Sequence, residues 1–429
     1  MHGTFPENAF RPEDLGEILD VLCTHPYPLF TPHCMTDAVM ENKSCLHAVA
    51  ETVLYRGLSG KPAFAEEVGT LGPMIASEEN AAAYANTIIH QLWAHDCMGF
   101  MWWCGFEQTE LSFTPYDWNG VERELGLFYI DKTKKPVLKE ITRFAEFVEA
   151  LPCDALPPRI CDAVCILNPN QDAWAAAYGA FILAKQAGVD LTFAWVDGPI
   201  PEARAYLLPD QEGDSSLPRR VQRELAERVR RGAKLYMSME GPLMSPFAEI
   251  TGLRVLYRAH QAQSAKVTLD GTEITVDSAF TLTCESMGAE VLARTESGGI
   301  AFAKHRLGEG EVYTLLYPIE ITAATVPGVV DSENARPLYK FYEAMNLRSP
   351  EKVARVSLPT VGLTEHIESE SKRSLMVINY EPFEQLPELI LEKGWRVTGC
   401  VSPDGSACVE GNCVRLKCNC GAYLTVEKA

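Results

Sequence analysis

An apolar segment that runs into two adjacent carboxylates and stops at glycine most constrains this chain. Ala63-Phe64-Ala65-Glu66-Glu67-Val68-Gly69 follows a Ser59-Gly60-Lys61-Pro62 turn. A buried strand that ends in an acid puts that acid at one edge of a sheet. In parallel α/β barrels the carboxyl edge is where chemistry sits. Side chains alternate along a strand, so only one of Glu66 and Glu67 is expected to face such a site.

Two flanking segments have the same form. Upstream, Ile18-Leu19-Asp20-Val21-Leu22-Cys23 is apolar and ends in Thr24-His25-Pro26-Tyr27-Pro28. Downstream, Gly99-Phe100-Met101-Trp102-Trp103-Cys104 ends in Gly105-Phe106-Glu107. Strands are expected at residues 18–23, 63–67 and 99–104, with amphipathic segments of helical length between them. Residues 34–58 carry Ala38, Val39, Leu46, Val49 and Val53 at helical spacing. Ser77 is an N-cap, with Glu78 and Glu79 in the first turn and Tyr84, Ile88 and Leu92 as the stripe. His90 and His95 read as surface or boundary residues of that helix. Pro136 opens another helix, with Val137, Leu138, Ile141, Phe144 and Val148 on one face.

Three strands ending in His-Pro-Tyr, Glu-Val-Gly and Trp-Trp, in this order and spacing, resemble strands six to eight of the clan A glycoside hydrolases. The family 5 and family 42 groups are the most similar. The resemblance covers about residues 14–149 well. It implies an α/β fold whose first part, residues 1–150, is the last portion of a (β/α)8 barrel. It also implies that Glu67 is the catalytic nucleophile and that Tyr27 bonds to its carboxylate. His25 and Trp103 would bind the sugar, Trp103 in preference to Trp102, with Glu107, Asp117 and Trp118 as further substrate contacts. The substrate would be a β-linked galactoside, mannoside or glucoside. No metal and no cofactor is implied. The family's general acid is the Glu of an Asn-Glu pair on the fourth strand. Here Glu7-Asn8 and Glu41-Asn42 run in the reverse order, so the first barrel strands and the acid are expected to be missing.

A proline-rich stretch, Leu151-Pro152 to Pro157-Pro158, reads as a linker. Beyond it, residues 158–348 alternate strand and helix, which predicts a doubly wound sheet. This part resembles the amidotransferase-like domain of family 42, implying a homo-oligomer formed through it. A β-rich insertion spans 255–303. No glycine-rich phosphate loop and no Ser or Cys nucleophile elbow marks a second activity. The arginines from Arg219 to Arg231 read as the solvated face of a helix. Residues 349–429 read as a small, sandwich-like antiparallel β-domain.

The 429 residues carry a formal charge of −20, which excludes nucleic acid and anionic membranes as partners. The opening residues Met1–Glu7 lack a basic start and an apolar core segment, so no signal peptide is expected. Fourteen scattered cysteines suit a reducing, cytoplasmic location. The group from Cys400 to Cys420 lacks the paired knuckles of a zinc site. An alternative function is a non-catalytic carbohydrate-binding or assembly protein, or one half of a split glycosidase.

Overall fold

The computed structural model describes residues 11–429 except 70–71, 119–122, 213–216, 242, 332–333 and 403. The Met1–Glu7 segment and the Glu7-Asn8 pair lie outside these residues. The chain forms two compact units. One holds the described residues through Ile160 together with Pro350–Ala429; the other is Cys161–Ser349.

The first unit begins with α1 (Pro12–Ile18), not with a strand reaching back to Ile18. Pro12 in the first turn, followed by Glu13 and Asp14, suits a helix N-terminus. The strand β1 is confined to Leu22–Thr24. Next come α2 (Asn42–Cys45), α3 (His47–Ser59), β2 (Ala63–Gly69), α4 (Glu78–Ala94), β3 (Phe100–Trp103) and α5 (Pro136–Glu149). The three strands form a parallel sheet in the order β1-β2-β3. Gly60 ends α3 in the left-handed region at φ 65°. Ser77 caps α4, its side chain accepting from the Asn80 amide at 3.3 Å.

The stripe Tyr84, Ile88 and Leu92 is buried as its spacing predicts. His90 and His95 are buried too, against the expectation of a surface position. Their Nδ1 atoms lie 2.7 and 2.8 Å from the Asn86 and Gln91 carbonyls, which satisfies one nitrogen of each ring inside the helix. The His90 ring packs against Phe144 and Phe147, with centroids 5.0 Å away in each case.

Residues 350–429 form a four-stranded antiparallel sheet ordered Val361–Ser369, Lys372–Asn379, Gly421–Lys428, Trp395–Val401, with short two-stranded ribbons beside it. The stretch read as a linker is pinned to this sheet. The Ile160 amide donates to the Glu365 carbonyl at 2.9 Å, and His366 Nδ1 lies 2.7 Å from the Pro157 carbonyl. Gly421 starts the strand that lies against α4. A Cβ built there would stand 2.5 Å from the His90 ring.

The second unit is a seven-stranded sheet. Its strands are β4 (Ala163–Leu167), β5 (Leu191–Trp195), β6 (Ala205–Gln211), β7 (Lys234–Met239), β12 (Glu290–Arg294), β13 (Ile300–Leu307) and β14 (Gly310–Leu315). They lie in the order β12-β13-β14-β7-β6-β4-β5, with parallel pairing from β14 to β5. The insertion supplies two hairpins' worth of strands, β8 (Leu253–Ala259) to β11 (Thr281–Ser286). Asp270 and Gly271 both have positive φ, as a tight hairpin turn requires between β9 (Gln263–Leu269) and β10 (Thr272–Ser278). The helices α6 (Ala173–Gln186) and α7 (Arg219–Arg230) follow β4 and β6. Of the α7 arginines, Arg228 is buried rather than solvated. Its guanidinium donates to the Ile200 and Pro201 carbonyls and to the Tyr206 hydroxyl at 2.9, 2.7 and 2.8 Å. Among the described residues no helix is long and apolar enough to cross a membrane.

The Gly421–His90 approach generates two predictions. Gly421→Ala should destabilise the first unit by about 1–3 kcal/mol, because the ring is wedged between two phenylalanines and cannot retreat. Thermal unfolding followed by circular dichroism measures this. Burial also pulls the His90 pKa from 6.5 down to about 4. The unfolded chain then takes up a proton below pH 6.5 that the folded chain refuses until about pH 4. The contribution is intact above pH 6.5 and is lost as pH falls towards 4, by about 3 kcal/mol in full. Urea midpoints measured between pH 7 and pH 4 should fall more steeply for the native chain than for His90→Phe.

Candidate active site

The carboxyl edge of the three-stranded sheet gathers the acids and rings singled out in the sequence. Thr24 ends β1 with its hydroxyl buried, 3.2 Å from the Thr52 hydroxyl of α3. The chain then turns sharply: the Tyr27 amide donates to the His25 carbonyl at 2.8 Å, and the Phe30 and Thr31 amides donate to the Tyr27 carbonyl. Pro26 and Pro28 restrict the backbone on either side of Tyr27. The Tyr27 ring is buried and lies edge-on to Phe30 and to His25.

The Tyr27 hydroxyl donates to Glu67 Oε2. His25 stands between two carboxylates, with Nδ1 3.4 Å from Glu67 Oε2 and Nε2 3.3 Å from Glu66 Oε2. The expectation that only one of the two acids could face this cluster is corrected. Between Ala65↔Phe100 and Val68↔Trp102 the register of β2 against β3 shifts, so that Glu66 and Glu67 together oppose the single residue Met101. This is a β-bulge. It breaks the strict alternation and re-aims the side chains next to it. Two consecutive acids just before a strand-ending glycine were the available sequence signal, and the extra residue itself could not be read from it.

Glu66 has a neighbour the sequence did not single out. The exposed Cys23 of β1 lies beside it, and partial burial, followed by the Glu66 charge and its hydrogen bond, pushes the thiol pKa up.

The tryptophans of β3 take up positions opposite the end of β2. Trp103 is in register with Gly69 and Trp102 with Val68. The Trp102 indole lies over Gly69, where a Cβ would come within 2.5 Å of the ring. With φ at 123°, Gly69 is also in a backbone conformation that other residues rarely adopt. Both tryptophans are half-buried.

The other proposed contacts do not join this cluster. The Glu107 carboxylate is paired with the buried ammonium of Lys135. Lys135 also donates to the Glu124 carbonyl at 3.0 Å and lies 3.8 Å from Glu78, which accepts from the Tyr129 hydroxyl. That bond, above all, pushes the Tyr129 pKa up to about 12. Asp117 and Trp118 sit on the following loop, exposed, Trp118 at 74%. The cysteines from Cys400 to Cys420 form no three-residue ligand group among the described residues.

No protein-family model matches the sequence, and no curated protein matches it. Solved structures do. The chain superposes on a GH42 β-galactosidase from G. stearothermophilus, determined as its E323A catalytic mutant, with a TM-score of 0.68 at 12% identity, over 97% of this chain and 61% of that one. An exo-β-1,4-mannosidase from Opitutaceae bacterium strain TAV5 matches with a TM-score of 0.62 at 20% identity, over 77% of this chain and 60% of that one. Over the matched residues the chain shares the fold of these glycoside hydrolases. An α-L-fucosidase from Paenibacillus thiaminolyticus also shares it, with a TM-score of 0.64 at 11% identity, over 97% of this chain and 66% of that one. The chain thus spans about three-fifths of the length of the galactosidase and the mannosidase.

The contact between Cys23 and Glu66 makes a test of the bulged geometry. Removing the Glu66 charge should lower the Cys23 pKa, because that charge opposes the thiolate. In Glu66→Gln the alkylation of Cys23 by iodoacetamide near pH 8, read by peptide mass mapping, should be faster than in the native chain. In Glu67→Gln it should be unchanged.

Proposed function

We propose that this chain carries the nucleophile side of a retaining glycoside hydrolase site, on the last strands of a (β/α)8 barrel. The observation that carries this reading is the Tyr27 hydroxyl bonded to Glu67, with His25 joining the same carboxylate. A nucleophilic carboxylate must be held ionised and aimed, and hydrogen-bond donors on it do both.

In the reaction, a Glu67 oxygen attacks the anomeric carbon of a β-linked galactoside, mannoside or glucoside. The bond to the leaving oxygen breaks, and a covalent glycosyl–enzyme forms. Water then displaces Glu67 and releases the sugar with its anomeric configuration retained. His25 and Trp103 position the sugar, the indole face meeting its C–H bonds, while Trp102 backs Gly69. Glu107, Asp117 and Trp118 are further candidate contacts for the substrate.

The leaving oxygen needs a proton from a second carboxyl about 5–5.5 Å from the nucleophile. No Asn-Glu pair in this sequence supplies it in the family's manner, and Glu107 is engaged by Lys135. A site with a nucleophile and no matched acid acts on substrates whose leaving group needs no proton. General acid catalysis is worth about 10²–10⁴-fold. The 429-residue chain should therefore leave alkyl glycosides intact and turn over dinitrophenyl β-glycosides at a trace rate. A dinitrophenyl 2-deoxy-2-fluoroglycoside should add one glycosyl mass to Glu67, read by peptide mass spectrometry. Glu67→Gln should abolish both signals, and Tyr27→Phe should weaken them. Ready hydrolysis of an alkyl glycoside by the chain alone would refute the missing-acid reading, and a label on another carboxylate would refute the nucleophile.

The lack of an Asn-Glu pair in this sequence also suits a second reading, that of a sugar-binding or assembly protein, or half of a split glycosidase. Sugar binding without any covalent label distinguishes it. On either reading the seven-stranded unit serves homo-oligomer formation, which sedimentation equilibrium would detect.

A further inference from the structure

The second unit gathers three acids that the proposed glycosidase chemistry does not use. Asp210 ends in β6, Glu212 follows it, and Glu240 follows β7. β6 and β7 are adjacent parallel strands, so all three residues stand at one carboxyl edge. The chain passes from β4 to β5 on one side and returns to β6 on the other, with β4 between them. In open α/β sheets, ligands bind outside the carboxyl ends of strands at such a reversal, and β6 is the strand beside it.

One carboxylate oxygen from each of the three lies within 4.8 Å of the other two. Asp210 is 1% exposed, and among the described residues its buried Oδ1 has no hydrogen-bond partner. The nearby Ser238 hydroxyl cannot serve it. That hydroxyl accepts from the Asp210 amide at 2.7 Å and spends its own hydrogen on Glu320 at 2.5 Å. The charges acting on Asp210 are all negative: Glu212, Glu240, Glu320 and Asp172. Among the described residues no Lys or Arg pairs with Asp210, Glu212 or Glu240. A buried carboxylate without donor or counter-charge is costly. The cost is removed by a cation or by a proton.

We propose that Asp210, Glu212 and Glu240 bind a hard divalent cation of the Mg²⁺, Ca²⁺ or Mn²⁺ class at the carboxyl edge of the seven-stranded sheet. The ligand set is all oxygen, which selects these ions over zinc or copper. The spacing permits this, since oxygens that share an ion bonded at about 2.4 Å stand no more than about 4.8 Å apart. Glu240 is braced for the role, because its Oε1 accepts from the Ala279 amide at 3.1 Å. It also lines a cleft of about 500 Å³ with Gln263, Ser264, Ser278 and Thr322. Coordination positions not filled by the three carboxylates are left to water or to a ligand entering from that cleft.

The test uses the full chain, stripped with chelator and then titrated calorimetrically with Mg²⁺, Ca²⁺ and Mn²⁺ at constant ionic strength, with thermal unfolding in parallel. At least one ion should bind saturably with one site per chain and raise the unfolding temperature, because it binds the native state. Asp210→Asn and Glu240→Gln should each weaken that binding by about 10-fold or more. Asp210→Asn keeps size and shape and removes like-charge repulsion, so in chelator it should unfold at or above the native temperature. That shows the loss of binding is not a loss of fold. No saturable binding of any of the three ions would overturn the proposal and leave a protonated Asp210 as the account of the cluster. Binding that survives both substitutions unchanged would also overturn it.

Discussion

The candidate site depends on β2. It is the strand paired on both sides in the three-stranded sheet, so the positions of His25 and Tyr27 from β1 and of the tryptophans from β3 are all set relative to it. One irregularity in its pairing decides what that edge presents. A regular strand would turn Glu66 and Glu67 to opposite faces. The bulge brings both to His25, which then holds a carboxylate at each ring nitrogen. The imidazole is within hydrogen-bond distance of Glu66 through Nε2, at 3.3 Å, while its Nδ1 stands 3.4 Å from Glu67.

The order of elements was legible because strong local signals agreed with one another. The Ser77 cap, the Tyr84–Ile88–Leu92 stripe and the Pro136 helix start lie where propensity and periodicity put them. The contact between Tyr27 and Glu67 was legible through resemblance, not through spacing. Two kinds of feature were not legible. Register shifts such as the β2 bulge depend on the partner strand as much as on the strand itself. Burial of residues such as His90, His95 and Arg228 depends on what a distant part of the chain lays over them. Polar side chains at helical spacing carry the same pattern whether they meet water or a neighbouring segment, until their hydrogen-bond partners are known.

The solved neighbours show how little of sugar choice resides in the fold. A galactosidase, a mannosidase and a fucosidase superpose on this chain with TM-scores between 0.62 and 0.68. The shared scaffold fixes where a carboxylate can stand. Selection among sugars must come from loops at the strand ends, which vary freely because they carry little of the packing. In this chain the stretch after β3 bears the exposed Asp117 and Trp118.

The first unit is discontinuous in sequence, and this has a consequence for how the chain is made. Gly421 abuts His90, and the Asn419 side chain donates to the Met40 carbonyl at 3.2 Å, across 379 residues. A ribosome adding about 5–20 residues per second needs tens of seconds to produce the second half of that contact after the first. During that interval the α4 face that the last strand covers is exposed, while Cys161–Ser349, contiguous in sequence, can complete its own sheet. Synthesis therefore runs opposite to the order in which the units begin: the internal one closes first, and the one that starts the chain closes last. The early segment is the one with most to gain from a chaperone while it waits.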